Sequence, residues 1–196
     1  MTKETTMRSN VFPRFSLILL AVALLLSVQG CAAPNMINLK YTPMDVSRPC
    51  ATSITVVKFA DERGKEEIGE KKDGTAFYAV QPVGEWTSKA FFEELKKSGC
   101  AMNWSQQDFG AQTEYVLTGT VREMWLREVS LTELSAEMTL NVRVTRGGER
   151  VYEENLSSRV ERTKVPASGN AADILEETLK EIVRPALDSA LRRMGQ

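Results

Sequence analysis

The chain has 196 residues, 25 Lys+Arg against 26 Asp+Glu, three Cys and no His. The length accommodates one ordinary domain plus extras, and a near-neutral charge gives no electrostatic footprint for nucleic acid. The missing histidines exclude Ser-His-Asp, Cys-His and His-metal chemistry together.

The first element is an address. Residues 15–28 (FSLILLAVALLLSV) carry no charge, and Arg8 and Arg14 precede them. The run is short for a membrane span, which needs about 20 apolar residues, and matches the apolar core of a signal peptide. It ends in Val28-Gln29-Gly30-Cys31, which resembles a bacterial lipobox and implies diacylation of Cys31 before cleavage. Met7 offers a second start. The expected division is 1–30 lipoprotein signal peptide, 31–52 lipidated N-terminus and tether, and 53–196 a single α/β domain. Without the signal, the net charge is −3, because Lys3, Arg8, Arg14 and Glu4 leave. Two or more acyl chains anchor stably without a basic patch. Ala32 and Ala33 follow the cysteine, where the enteric sorting pattern would place Asp for inner-membrane retention. This resembles outer-membrane sorting with the domain facing the periplasm. Pro34, Pro43 and Pro49 in an aperiodic stretch suggest a tether, about 70 Å long if fully extended.

The domain elements follow in order. Residues 53–60 (SITVVKFA) are β-branched and read as a strand. Residues 85–98 read as a helix with Val83, Trp86, Ala90, Phe91 and Leu95 on its apolar face and Gly99 at its end. Trp86 reads as core. Glu94 falls towards the apolar side, as at a face edge or frayed turn. Glu85–Lys89 and Glu93–Lys97 are i,i+4 pairs. A short strand, 101–105, follows. Strand–helix–strand normally makes parallel neighbours that begin at one edge. Cys50 and Cys100 both stand at such beginnings, and Cys31 is assigned to lipid, so the remaining two are expected to form a disulfide.

Residues 114–126 form the next strand, with Gly119 a candidate bulge. In 134–145, Ala136, Met138, Leu140, Val142 and Val144 alternate with polar residues, as in a half-buried antiparallel strand. Arg146-Gly147-Gly148 turns the chain into a strand over 149–161. A three-residue loop is preferred over a two-residue one, because it pairs Val142 with Tyr152 and Met138 with Leu156. The last element is a long amphipathic helix capped by Asn170, with Asp173 in its first turn and a kink expected at Pro185. The expected fold is α/β (α+β): a mainly antiparallel sheet of about five strands with two helices on one face, in the order β-α-β-β-β-β-α.

The run Phe59-Ala60-Asp61-Glu62-Arg63, Ile68-Gly69, the helix-ending Gly99 and the segment Ala167-Ser168-Gly169-Asn170-Ala171-Ala172-Asp173 resemble the YajG-type bacterial lipoprotein family over most of 53–191. The outline is also similar to the N-terminal domain of TolB. The resemblance implies an envelope lipoprotein with a small α/β domain.

The 61–73 loop holds acids interleaved with lysines and lacks a calcium-loop frame. It reads as solvated. Its place after the first strand makes Asp61 and Arg63 the candidate binding residues. No Walker loop, G-x-G-x-x-G, G-x-S-x-G, C-x-x-C or S-x-x-K occurs. The expectation is therefore not an enzyme: no catalytic residue, no metal and no cofactor. The expected role is a lipid-anchored envelope protein that binds a protein or cell-wall partner and no nucleic acid. The alternatives are an auxiliary subunit of an envelope transport or outer-membrane assembly system, and a minor wall or glycan enzyme.

Overall fold

A computed structural model describes residues 35–45, 48–107, 113–164 and 170–195. The expected signal peptide and Cys31 lie outside the described residues.

The described chain is an α+β unit of nine strands and two helices. In chain order the elements are β1 (Met36–Ile37), β2 (Ser53–Val57), β3 (Ala60–Asp61), β4 (Glu67–Glu70), β5 (Ala76–Ala79), α1 (Val83–Lys97), β6 (Ala101–Ser105), β7 (Tyr115–Ser130), β8 (Glu133–Arg146), β9 (Glu149–Thr163) and α2 (Asn170–Arg193). The sheet is larger than the five strands expected. The long strands β7, β8 and β9 form an antiparallel meander. β8 lies along one side of β7, and β2, β3 and β4 follow one another, all parallel, along the other. The sheet therefore forks: β6 extends it beyond β2, while β5 and then β1 extend it beyond β4.

The four added strands are short: β1 lies in the stretch read as tether, β3 at the end of the strand read over 53–60, β4 in the 61–73 loop and β5 in a stretch given no element. β4, in the charged segment, forms a hairpin with β5 just beyond it. Its turn, Lys71-Lys72-Asp73-Gly74, closes with a 2.8 Å bond from Lys71 N–H to the Thr75 carbonyl, and Gly74 adopts φ 81°. An Asp-Gly pair between short apolar pairs is a hairpin signal, here submerged by the surrounding charges. Ile68 and Phe77 are its buried apolar side chains.

The parallel pairing of β2 with β6 through α1 is as expected, with Ser53 opposite Ala101. α1 starts at Pro82, whose carbonyl accepts Trp86 N–H at 3.0 Å. It ends in a Schellman arrangement. Gly99 (φ 94°) donates to the Lys96 carbonyl, and Cys100 donates to that of Leu95 at 3.1 Å. This geometry delivers Cys100 to the start of β6.

Two bulges set which side chains face inward. In β7, Tyr115, Leu117 and Val121 are buried, then Met124 and Leu126. The change from odd to even positions requires one extra residue, and the register shifts between Val121 and Glu123. The bulge is therefore at Arg122, not Gly119. Gly119 pairs regularly with Val142. It lacks a side chain because a Cβ there would lie 2.4 Å from the ring of Phe59.

The β8–β9 turn also differs from expectation. It is the two-residue Gly147-Gly148 turn, with both φ angles positive (56° and 87°), as in the hairpin turn whose twist matches the strands. Arg146 lies opposite Glu149, and the register then shifts by one, leaving Val151 as the extra residue. Val144 consequently faces Tyr152, Leu140 faces Leu156, and Val142 faces Glu154. The expected pairs Val142–Tyr152 and Met138–Leu156 do not form, because the bulge, not a three-residue loop, turns Tyr152 inward and sets it opposite Val144.

α2 lies on β8 and β9 and contacts α1. Its stripe of Ile174, Leu175, Leu179, Ile182, Val183, Ala186, Leu187, Ala190 and Leu191 is buried. The helix runs through Pro185, which sits on its exposed side. The carbonyl four residues earlier loses its helical donor there but faces water.

Candidate functional site

The candidate loop pairs with itself. Arg63 donates from Nε (2.8 Å) and Nη2 (2.7 Å) to the two carboxylate oxygens of Asp61, and from Nη1 to the Glu67 carbonyl at 3.0 Å. The Arg63 side chain is buried. Burial pushes the Asp61 carboxyl up, but the Arg63 bonds and charge outweigh it and hold the group below the ordinary carboxylate value. The pair acts as a brace between β3 and β4 in which the two charges neutralise each other, with the Asp61 carboxylate still partly exposed. Among the described residues no group of three or more His, Cys, Asp or Glu is arranged to hold a metal ion.

Cys50 and Cys100 are disulfide-bonded, with Cα atoms 4.8 Å apart. Cys50 N–H also donates to the Ser98 carbonyl at 2.9 Å, so the bond joins the chain ahead of β2 to the end of α1.

The most developed polar arrangement lies where a tether was expected. Residues 35–45 form a strap across both helices. The strap begins in β1, which pairs in parallel with β5, and Ile37 and Leu39 are buried. Gln81 clamps Leu39 from both sides, its Oε1 accepting the Leu39 N–H at 2.9 Å and its Nε2 donating to the Leu39 carbonyl at 2.9 Å. Trp86 is core, as expected, and its Nε1–H donates to the Lys40 carbonyl at 3.0 Å. Lys40 pairs with Asp173 of α2 at 2.6 Å.

Two buried carboxylates complete the clamp. Glu94 of α1 is 6% exposed, and its Oε1 accepts the Tyr41 hydroxyl at 2.6 Å and the Met44 N–H at 2.7 Å. Glu176 of α2 is 7% exposed and accepts the Thr42 N–H at 2.8 Å and the Lys180 ammonium at 2.8 Å. Burial and the Glu94 bond both push the Tyr41 hydroxyl far above its ordinary value. The position of Glu94 on an apolar helix face was the available signal, since a buried carboxylate demands donors. It reflects neither a face edge nor fraying. Lys97, expected to pair with Glu93, instead reaches towards Asp45 at 3.5 Å.

The fold is similar to that of protein XCC0632 from Xanthomonas campestris, described as a DUF330 protein. The match has 16% identity and a TM-score of 0.58, covering 82% of this chain and 97% of that one. Two further solved structures are more distant. The hypothetical protein CT253 from Chlamydia trachomatis shows 12% identity over 71% of this chain and 96% of that one, with TM-score 0.47. A minor lipoprotein from Acinetobacter baumannii shows 14% identity over 73% and 96%, with TM-score 0.38. At 16% identity the likeness to XCC0632 is one of fold. No protein-family model matches the chain, and no curated protein matches it in sequence.

Proposed function

We propose that this protein is a YajG-type, lipid-anchored lipoprotein of the bacterial outer membrane. Its periplasmic domain acts by binding an envelope partner rather than by catalysis. The observation that carries the reading is the Cys50–Cys100 disulfide, because such bonds persist in oxidising compartments and the chain opens with a signal-like segment ending at Cys31. A disulfide, a lipid attachment and the absence of histidine leave no thiol or imidazole for chemistry.

A protein partner is favoured over the cell wall by the sheet margin. β9 is a 15-residue strand with β8 on one side and no strand on its other side among the described residues. Val129 and Leu131, at the β7–β8 turn, are exposed apolar residues. Open strand edges and exposed apolar side chains are common protein-binding features. A subunit of an envelope transport or outer-membrane assembly system is the partner class that fits a lipid-anchored binding domain.

Two measurements test the proposal. Labelled palmitate is expected to enter the wild type and not Cys31→Ala, and an unlabelled wild type overturns the anchor. Capture of the lipidated protein from crosslinked envelopes is expected to recover subunits of one machine. Recovery of free monomer alone overturns the binding role.

A further inference from the structure

Three of the five exposed large apolar residues among the described ones lie together at one edge of the sheet. Met36 of β1 (46% exposed) and Tyr78 of β5 (36%) are directly paired across the two strands, and Val80 (56%) follows at the next outward position. They line a shallow groove with Pro82, and its charged rim is formed by Lys65, Glu66 and the paired Asp61 and Arg63. The Lys65 ammonium lies 3.6 Å from the ring centroid of Trp125, extending the same surface with an aromatic and a cation.

The covalent chain says what this surface meets. The strap holds Asn35 in place, because its carbonyl accepts Tyr78 N–H at 3.0 Å, and the Ile37 carbonyl accepts Val80 N–H at 3.0 Å. Only Ala32, Ala33 and Pro34 separate Cys31 from Asn35. Fully extended, that connection spans about 14 Å, not the tens of ångströms of a free tether.

We propose that the Met36–Tyr78–Val80 patch is a lipid-contact surface that seats the domain on the bilayer holding its anchor. The proposal rests on the reading that Cys31 is lipidated. Given that anchor, the patch is held beside the headgroups, and its insertion becomes an intramolecular event. Contacts too weak to bind a membrane alone are then effective. The composition suits an interface: Tyr and Trp place an apolar body and a polar tip at headgroup depth, Met and Val reach the acyl boundary, and Lys65 faces the phosphates. The opposite edge, β9, then points away from the membrane, leaving it open to a protein.

The test uses the full chain isolated from bacterial envelopes and reconstituted into phosphatidylethanolamine/phosphatidylglycerol vesicles, with intact mass reporting lipid on Cys31. A fluorophore is placed on Val80→Cys or, as the distant control, on Ser157→Cys of β9. Nitroxide-bearing phospholipids are expected to quench the label at 80 and spare that at 157. In protein without an added cysteine, brominated phospholipids are expected to quench tryptophan emission, and Trp125→Phe is expected to abolish that loss. A lipidated protein whose label at 80 stays as unquenched as at 157 overturns the patch and leaves the anchor standing. Protein without lipid on Cys31 overturns both readings. Shielding of position 80 in native envelopes but not in vesicles assigns the patch to a protein and overturns the lipid contact.

Discussion

The hydroxyl of Tyr41 donates a 2.6 Å hydrogen bond to the buried carboxylate of Glu94, 53 residues further along the chain. The bond ties the strap of residues 35–45 to the last turn of α1. Because the same oxygen accepts Met44 N–H, one carboxylate holds two donors of the strap.

Glu94→Ala is therefore expected to strip two partly buried donors of their acceptor. At about 1–3 kcal/mol for each unsatisfied group, the loss is roughly 2–6 kcal/mol. Urea denaturation measures the total, and hydrogen exchange at the Met44 amide reports whether the strap is the part released. Glu94→Gln retains one carbonyl acceptor and is expected to lose less.

The strap responds to pH at both ends of the scale. Burial pushes the Glu176 carboxyl up, but the bonds from Lys180 and Thr42 outweigh it and hold it below its ordinary 4.5. Such a group contributes stability that is present above its unfolded value and lost as pH falls through the depressed folded value. Exchange protection at Thr42 is expected to persist at neutral pH and disappear in acid below that ordinary value. Tyr41 has the opposite sign. Its raised folded value means its contribution is intact below the ordinary 10.0 and lost as pH rises beyond it. Tyr41→Phe is expected to remove this alkaline loss, which stability measurements across pH would show directly.

The disulfide closes a loop with a sequence separation of 50. The chain-entropy relation gives about 4 kcal/mol for a loop of that length. Replacing Cys50 and Cys100 together by alanine is expected to lower the urea midpoint accordingly. Since both cysteines flank the α1 exit, the double variant should also loosen the Ser98–Cys50 backbone bond.

At Gly119, an added methyl would meet the buried ring of Phe59 at 2.4 Å. Gly119→Ala is expected to cost about 1–3 kcal/mol through overpacking, read as a drop in Tm. Phe59→Leu in the same chain should recover part of that loss by clearing the space, a recovery that backbone strain alone would not allow.

The contrast between these residues shows where sequence reasoning stops. Local periodicity exposed α1, α2 and the β7–β9 meander, whereas β2 showed through its β-branched run and β6 through its place after the helix. The cysteine pair was legible from counting and from the parallel crossover. The strap was not, since Leu39, Tyr41, Thr42 and Met44 obey no period: Gln81 holds Leu39, Glu94 of α1 holds Tyr41 and Met44, and Glu176 of α2 holds Thr42. Asp61 and Arg63 were legible as an unusual pair of charges, but only their spatial pairing shows that they neutralise each other. The β8–β9 register was decided by a bulge at Val151, which reconciles the two-residue turn with the burial of Tyr152.

Composition, the apolar run and the elements with one buried face were determined by the sequence alone, because each is a property of neighbouring residues. The fork of the sheet along β7, the capture of residues 35–45 and the gathering of Met36, Tyr78 and Val80 at one edge were decided only in the folded chain. Those features depend on which distant donors and acceptors meet once water is excluded, and short strands held by such contacts leave no periodic trace in the sequence.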